Sequence, residues 1–173
     1  MINYIEKYHS HLYYSIGFLC FGLFVLQRIP GLSLQIGTAT PVLLLPVVMV
    51  AACFLREWAG FWFGFLSGVA LDTVVNGSPV FHTITLILFG VGFGLLFRLL
   101  FNRNIKSMLL IGMIGSLLFF LLRWFFLSVI AGEPSAGALL LRYEIPSAVY
   151  TGLLIVPFFY YIRWLCKKYL VQQ

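Results

Sequence analysis

GFWFGFLSGVALD, from Gly60 to Asp72, decides the reading of this chain. Within an apolar run, glycine recurs at every fourth position (Gly60, Gly64, Gly68), and the run ends in a carboxylate. Four-residue spacing lines the glycines up on one face of a helix, where a neighbouring backbone can come close. That is the small-xxx-small pattern of packed transmembrane helices. A carboxylate at mid-bilayer costs roughly 2.5–3.5 kcal/mol on insertion scales, so Asp72 needs a partner or a wet cavity. The stretch therefore predicts a tightly packed membrane bundle with a polar feature held inside it.

Composition points the same way. The chain is 62% hydrophobic and only 9% charged, with a mean hydropathy of +1.03. Soluble domains run about 45–50% apolar and about 25% charged. Apolar runs of about 18 or more residues recur along the chain, the mark of an integral membrane protein. Six spans of about 20 residues with short loops use up all 173 residues, so residues 1–173 read as a single integral membrane domain.

Charges mark the span boundaries. The expected class is all-α: a polytopic six-helix bundle with helices at about 12–29, 38–55, 58–75, 80–101, 108–130 and 145–165. The second carries Pro41 and Pro46 in its first turns, which leaves it short for a bilayer core of about 30 Å. It is expected to tilt, to begin nearer Gln35, or to be locally unwound. Lysine and arginine give the orientation. With the N-terminus in the cytoplasm, Lys7, Arg56, Arg98, Arg103, Lys106, Arg163, Lys167 and Lys168 fall inside. Only Arg28 and Arg142 fall outside, and Arg123 lies within helix five. Both termini are thus expected in the cytoplasm. The +6 charge then follows from topology and attraction to anionic lipid, with no basic soluble face for nucleic acid.

The N-terminal segment does not read as a cleavable signal. Glu6 sits against Lys7, and the first helix runs into Gln27-Arg28-Ile29-Pro30 without a small-residue cleavage site. Tyr4, Tyr8, Tyr13 and Tyr14, with His9 and His11, read as an interfacial aromatic anchor more readily than as a metal site. Cys20, Cys53 and Cys166 lack paired spacing and are expected to pack as small apolar residues.

Orientation sets depth. Asp72 lies about 24 Å along helix three from Arg56, and Arg123 about 25 Å along helix five from Lys106, at 1.5 Å per residue. Both are expected at the outer side of the membrane, with His82 at the start of helix four. Glu133, Arg142 and Glu144 are expected in an outer loop, Ala131–Glu144. An Asp72–Arg123 pair, direct or through water, would remove most of the cost of two buried charges. Structural readings stand beside this one. Asp72 can cap the turn sequence that includes Asn76-Gly77-Ser78-Pro79, Arg123 can snorkel outward, and His82 can simply begin its helix. Together Asp72, Arg123 and His82 form either an intramembrane polar set or the wall of an outer cavity. Gly90, Gly92 and Gly94, with Gly112 and Gly115, are expected as close-packing positions.

Catalytic patterns are missing from the sequence. It contains no HExxH, GxSxG or Walker loop, and no helix bears paired carboxylates. A non-enzyme without metal or cofactor is expected.

Gly60-Phe61, Gly64-Phe65, Gly68 and Leu71-Asp72, followed by Gly77-Ser78-Pro79 and a fourth helix, resemble the rod shape-determining protein MreD family. The likeness extends to a second helix with Pro41 and Pro46, and to a last helix that opens Ile145-Pro146-Ser147-Ala148 and contains Pro157. It covers nearly the whole chain. It implies a non-enzymatic subunit of the bacterial cell-elongation machinery in the cytoplasmic membrane. The implied partners are MreC and, through it, MreB, RodA and a class B penicillin-binding transpeptidase. No catalytic residue comes with it; the positions carried over are the helix-three glycines and Asp72. Arg123 and the stretch around Glu133-Pro134-Ser135 depart from the family pattern. The alternative is the S component of an energy-coupling-factor vitamin transporter, or another small transporter, since MreD is thought to share the S-component fold. There Asp72, His82, Arg123 and Trp124 would hold a small ligand. Helix one, however, reads Ser15-Ile-Gly-Phe-Leu-Cys-Phe-Gly22, without the AxxxA coupling pattern of many S components.

Overall fold

The computed structural model describes residues 2–29, 38–73, 80–101, 104–133 and 135–170, with side chains from His11 onward except Arg28 and Leu170. The His9–His11 metal reading, the Tyr4 and Tyr8 anchors, Arg103 and the Asn76–Pro79 turn therefore fall wholly or partly outside the described residues. Those described are helical throughout apart from short connections. The elements are α1 (Ile2–Arg28), α2 (Leu44–Leu55), α3 (Glu57–Asp72), α4 (Phe81–Leu99) and α5 (Ile105–Trp124), which runs on through a widened turn, Phe125–Val129. A short α6 (Ala136–Leu139) passes through a second widened turn, Leu140–Glu144, into α7 (Ile145–Leu153) and α8 (Ile155–Leu170). Among the described residues, three helices are long and apolar enough to cross a membrane: Phe81–Leu99, Ile105–Val129 and Ala136–Tyr169.

Helix α2 is the centre of the molecule. Its sequence, LLPVVMVAACFL, is apolar all round, and a helix without a polar face belongs inside. Every residue from Leu44 to Cys53 is buried, with α1, α3, α4, α5, α7 and α8 packed about it. It begins at Leu44, six residues later than the expected 38. Proline explains the delay. Pro41 biases Thr40 away from helical geometry and supplies no donor to a helical ladder. Pro46 falls at the third helical position, where an N–H would have had no partner within the helix.

The unwound residues 38–43 enter the bundle, so their backbone needs partners inside it. Thr40 N–H donates to Ser147 Oγ at 2.9 Å and Val42 N–H to Thr151 Oγ1 at 3.2 Å. Gln27 Nε2 donates to the Pro41 carbonyl at 3.0 Å. Ser147 and Thr151, four residues apart on one face of α7, are both fully buried. They do for this irregular entry what a helical ladder would otherwise do.

The last helix corrects the expected boundaries. Residues 131–144 were expected as an outer loop and helix six at 145–165. Helix instead resumes at Ala136, and α5 and α6 join through a tight turn in which Gly132 takes a positive φ of 74°. Trp124 Nε1 donates to the Ala136 carbonyl at 2.7 Å and ties this hairpin. Pro146 suggested a helix start, yet here it follows the widened turn Leu140–Glu144. Widened spacing accommodates a residue that lacks an N–H and whose ring crowds the preceding turn. Pro157 acts similarly: the helix breaks at Leu154, between α7 and α8.

The glycine stripe of α3 faces α4. A Cβ at Gly64 would meet the Leu86 and Ile87 backbone, and one at Gly68 would lie 2.8 Å from Thr83 N. Gly60 and Gly90 face each other backbone to backbone, and Gly94 receives the start of α3, with Glu57 Cα at 2.7 Å from its built Cβ. An ion pair from Arg98 to Glu57 closes this end of the hairpin. Gly112 and Gly115 give way to side chains, Ile155 for the first and Met49 and Phe93 for the second. Gly92 is a correction: a Cβ there meets nothing within 4 Å, because it lies on the face of α4 away from α3.

Candidate functional site

The polar residues singled out from sequence gather around the first turn of α4. The first four N–H groups of any helix lack partners within it, and a side-chain oxygen nearby can accept from the second and third. No residue at the start of α4 does so; Val80, at the capping position, has no oxygen to offer. Asp72, at the end of α3, supplies it instead. Its Oδ1 accepts from His82 N–H at 3.0 Å and its Oδ2 from Thr83 N–H at 2.8 Å. The same carboxylate takes the Thr83 hydroxyl at 2.6 Å and stands 2.9 Å from His82 Nδ1, which donates as the protonated ring nitrogen. The positive end of the α4 dipole adds to the attraction.

Val80 turns the chain into position with φ of 96°, a costly conformation for a β-branched residue. Such strain, of order 1–3 kcal/mol, persists only where neighbours over-determine it. The four bonds from the next turn to Asp72 are that determinant.

Arg123 has a different partner. The expected Asp72–Arg123 pair gives way to two separate ones. Arg123 grips Glu144 in a fork, Nε to Oε2 at 3.1 Å and Nη2 to Oε1 at 2.9 Å, and lies 4.8 Å over the Phe120 ring. The physical reason is the early start of the last helix, which carries Glu144 alongside α5 where a loop was expected. A fork fits a planar guanidinium better than one oxygen of a carboxylate already holding four donors. The two clusters adjoin through rings: His82 lies 6.3 Å from Phe119, and Phe81 lies 5.7 Å from Phe126.

The arrangement builds structure more readily than chemistry. The Thr83 hydroxyl is bound to Asp72, so it is not presented to a histidine nitrogen as an activated nucleophile would be. His82 is 3% exposed and sits among aromatic rings. Among the described residues no group of three metal-ligating side chains converges. Beside Glu144, a small apolar cavity of about 160 Å³ opens between α5 and the last helix, lined by Leu117, Phe120, Leu121 and Ile145.

Sequence reasoning missed four residues that matter here. From sequence, Glu144 falls in a loop, and Thr83 stands beside the more conspicuous His82. Ser147 and Thr151 carry a visible signal, two small hydroxyl side chains four apart on one helix face, although their partner, an unwound backbone, is not visible in sequence.

No family model matches the chain, and neither a curated protein nor a solved structure matches it.

Proposed function

We propose that this chain is a non-enzymatic scaffold subunit of a bacterial cell-elongation complex, of the MreD type. It lies in the cytoplasmic membrane with six spans and both termini inside. In this reading it associates with MreC, and through it with MreB, RodA and a class B penicillin-binding transpeptidase, to support lateral peptidoglycan synthesis and cell shape. The resemblance of the Gly60–Asp72 run, its Gly-Ser-Pro turn and the prolines of the second and last helices motivates it.

One observation favours a scaffold over a ligand-binding transporter subunit. The polar side chains that would hold a vitamin-like ligand are already engaged: Asp72 in four bonds to α4 and Arg123 in a fork to Glu144. A recognition site keeps polar groups directed at its ligand, whereas these hold helices together. Length supports the second span. Helix α2 covers about 18 Å at 1.5 Å per residue, and the five residues 38–42 before it can add at most about 17 Å, enough for a core of about 30 Å. The basic residues support the orientation.

Depletion in a rod-shaped host tests the function. Cells are expected to widen and round, and gentle-detergent purification is expected to recover MreC. Reporter fusions after Gln173 and at Gly132 are expected to read cytoplasm and periplasm respectively. Depleted cells that stay rod-shaped but lose uptake of one vitamin would refute the scaffold and favour the transporter reading.

A further inference from the structure

A groove runs between α1, α3 and α8, away from the Asp72 cluster. It encloses about 1050 Å³ and is walled by Tyr14 and Phe18 of α1, Trp62 and Leu66 of α3, and Tyr161 and Trp164 of α8. A narrower cavity of about 300 Å³ shares Gly17, Phe21, Phe63 and Leu66 with it and continues to Ser67, Ala70 and Leu44. The two form one cleft, and its two ends differ chemically.

At the wide end stands Lys168, its ammonium 5.2 Å over Trp164 and 5.7 Å over Tyr169, with His11, Tyr14 and Ser15 across the groove. No carboxylate lines this mouth among the described residues. The narrow end is nearly all apolar. Helical spacing explains the division. Tyr161, Trp164 and Lys168 fall in one stripe of α8 and end in the charge, while Gly17, Phe21 and Phe24 carry the α1 wall inward. Gly17 holds the cleft open: a Cβ built there meets nothing within 4 Å. At Gly60, Gly64, Gly68, Gly90 and Gly94 the space beside the glycine is filled by backbone; beside Gly17, inside the cleft, it is open.

We infer that this cleft is a binding site for one anionic phospholipid, with its phosphate at Lys168 among the aromatic side chains and an acyl chain lying past Gly17 towards Ser67. Charge complementarity selects the headgroup. A lysine with no acid beside it among the described residues attracts a net negative lipid, whereas a zwitterionic headgroup would bring a second cation to the same place. Aromatic rings with polar tips suit the headgroup level, and the apolar cleft suits a chain. The inference needs a membrane location and is independent of the scaffold role.

Delipidated full-length protein in detergent, given phosphatidylglycerol or phosphatidylcholine and examined by native mass spectrometry, tests it. Wild type is expected to retain one phosphatidylglycerol in preference to phosphatidylcholine. Lys168→Gln is expected to weaken retention about fivefold, the effect of one lysine against an anionic surface, and Lys168→Arg to restore it. Gly17→Leu fills open space, so it is expected to keep wild-type thermal stability without lipid and to lose the retained lipid. Equal retention of the two lipids by wild type would overturn the proposal. So would undiminished retention in Lys168→Gln or in a folded Gly17→Leu, or protection by inorganic phosphate alone. Should Gly17→Leu fail to fold, headgroup selectivity and the two Lys168 variants decide the matter.

Discussion

Two double-mutant cycles separate the observed polar geometry from the one expected on sequence grounds. The first pairs Arg123→Gln with Glu144→Gln, the second Arg123→Gln with Asp72→Asn. Side-chain exposure of Arg123 and Glu144 is 21% and 12%, between the exposed and the fully buried limits. Breaking a fully buried pair costs about 3–5 kcal/mol, and an exposed one is worth about 0.2–1 kcal/mol, so each single change here should cost about 2 kcal/mol. Removing both partners leaves no orphaned charge, so the double variant should cost little more than either single one. The coupling is then about 1.5 kcal/mol. Asp72→Asn removes charge from the α4 N-terminus and turns an amide NH₂ towards backbone donors, for a cost of about 2 kcal/mol. Because Asp72 and Arg123 share no direct bond, the second cycle should add to within about 0.5 kcal/mol. Equilibrium unfolding in mixed micelles of rising sodium dodecyl sulfate, followed by tryptophan fluorescence, gives the free energies. For a chain of this size the first coupling corresponds to about 3–6 °C in melting temperature. Strong coupling in the Asp72–Arg123 cycle together with additivity in the Arg123–Glu144 cycle would refute the reasoning and restore the direct pair.

Glycine positions should divide sharply. Gly64→Leu drives a side chain into the Leu86 backbone and is expected to reduce folded yield severely, while Gly92→Leu enters open space and should leave yield and melting temperature near wild type; equal effects in a purification comparison would contradict the assigned faces. Thr151→Val keeps volume but leaves the buried Val42 N–H without an acceptor, at a cost of about 1–3 kcal/mol in the same unfolding assay. Thr151→Ser, which keeps the acceptor, should recover most of that loss, and a Ser variant as weak as Val would show that the hydroxyl is not what matters.

Local chemistry made parts of this protein legible in sequence. Four-residue glycine spacing is a helical property, so the stripe at Gly60, Gly64 and Gly68 needed no tertiary information to be seen. The same is true of the apolar runs, and of Pro41 as a place where helix gives way. Asp72 at the end of a helix points to a cap on the turn sequence that follows it or to a pair with Arg123, each physically sound.

Only the tertiary structure shows what Asp72 caps, the first turn of α4. A cap is recognised by which N–H groups lie within about 3 Å, and those of His82 and Thr83 reach Asp72 because α3 and α4 close on each other at their glycines. The partner of Arg123 was hidden for a related reason. Pro146 reads locally as a helix start, but widened turns and packing on α5 carry helix through it and bring Glu144 alongside. Ser147 and Thr151 looked like tolerated polar residues until an unwound backbone lay against them. A residue's own propensity is set by its near neighbours in sequence, whereas a buried polar group is satisfied by whatever the fold places within hydrogen-bonding reach.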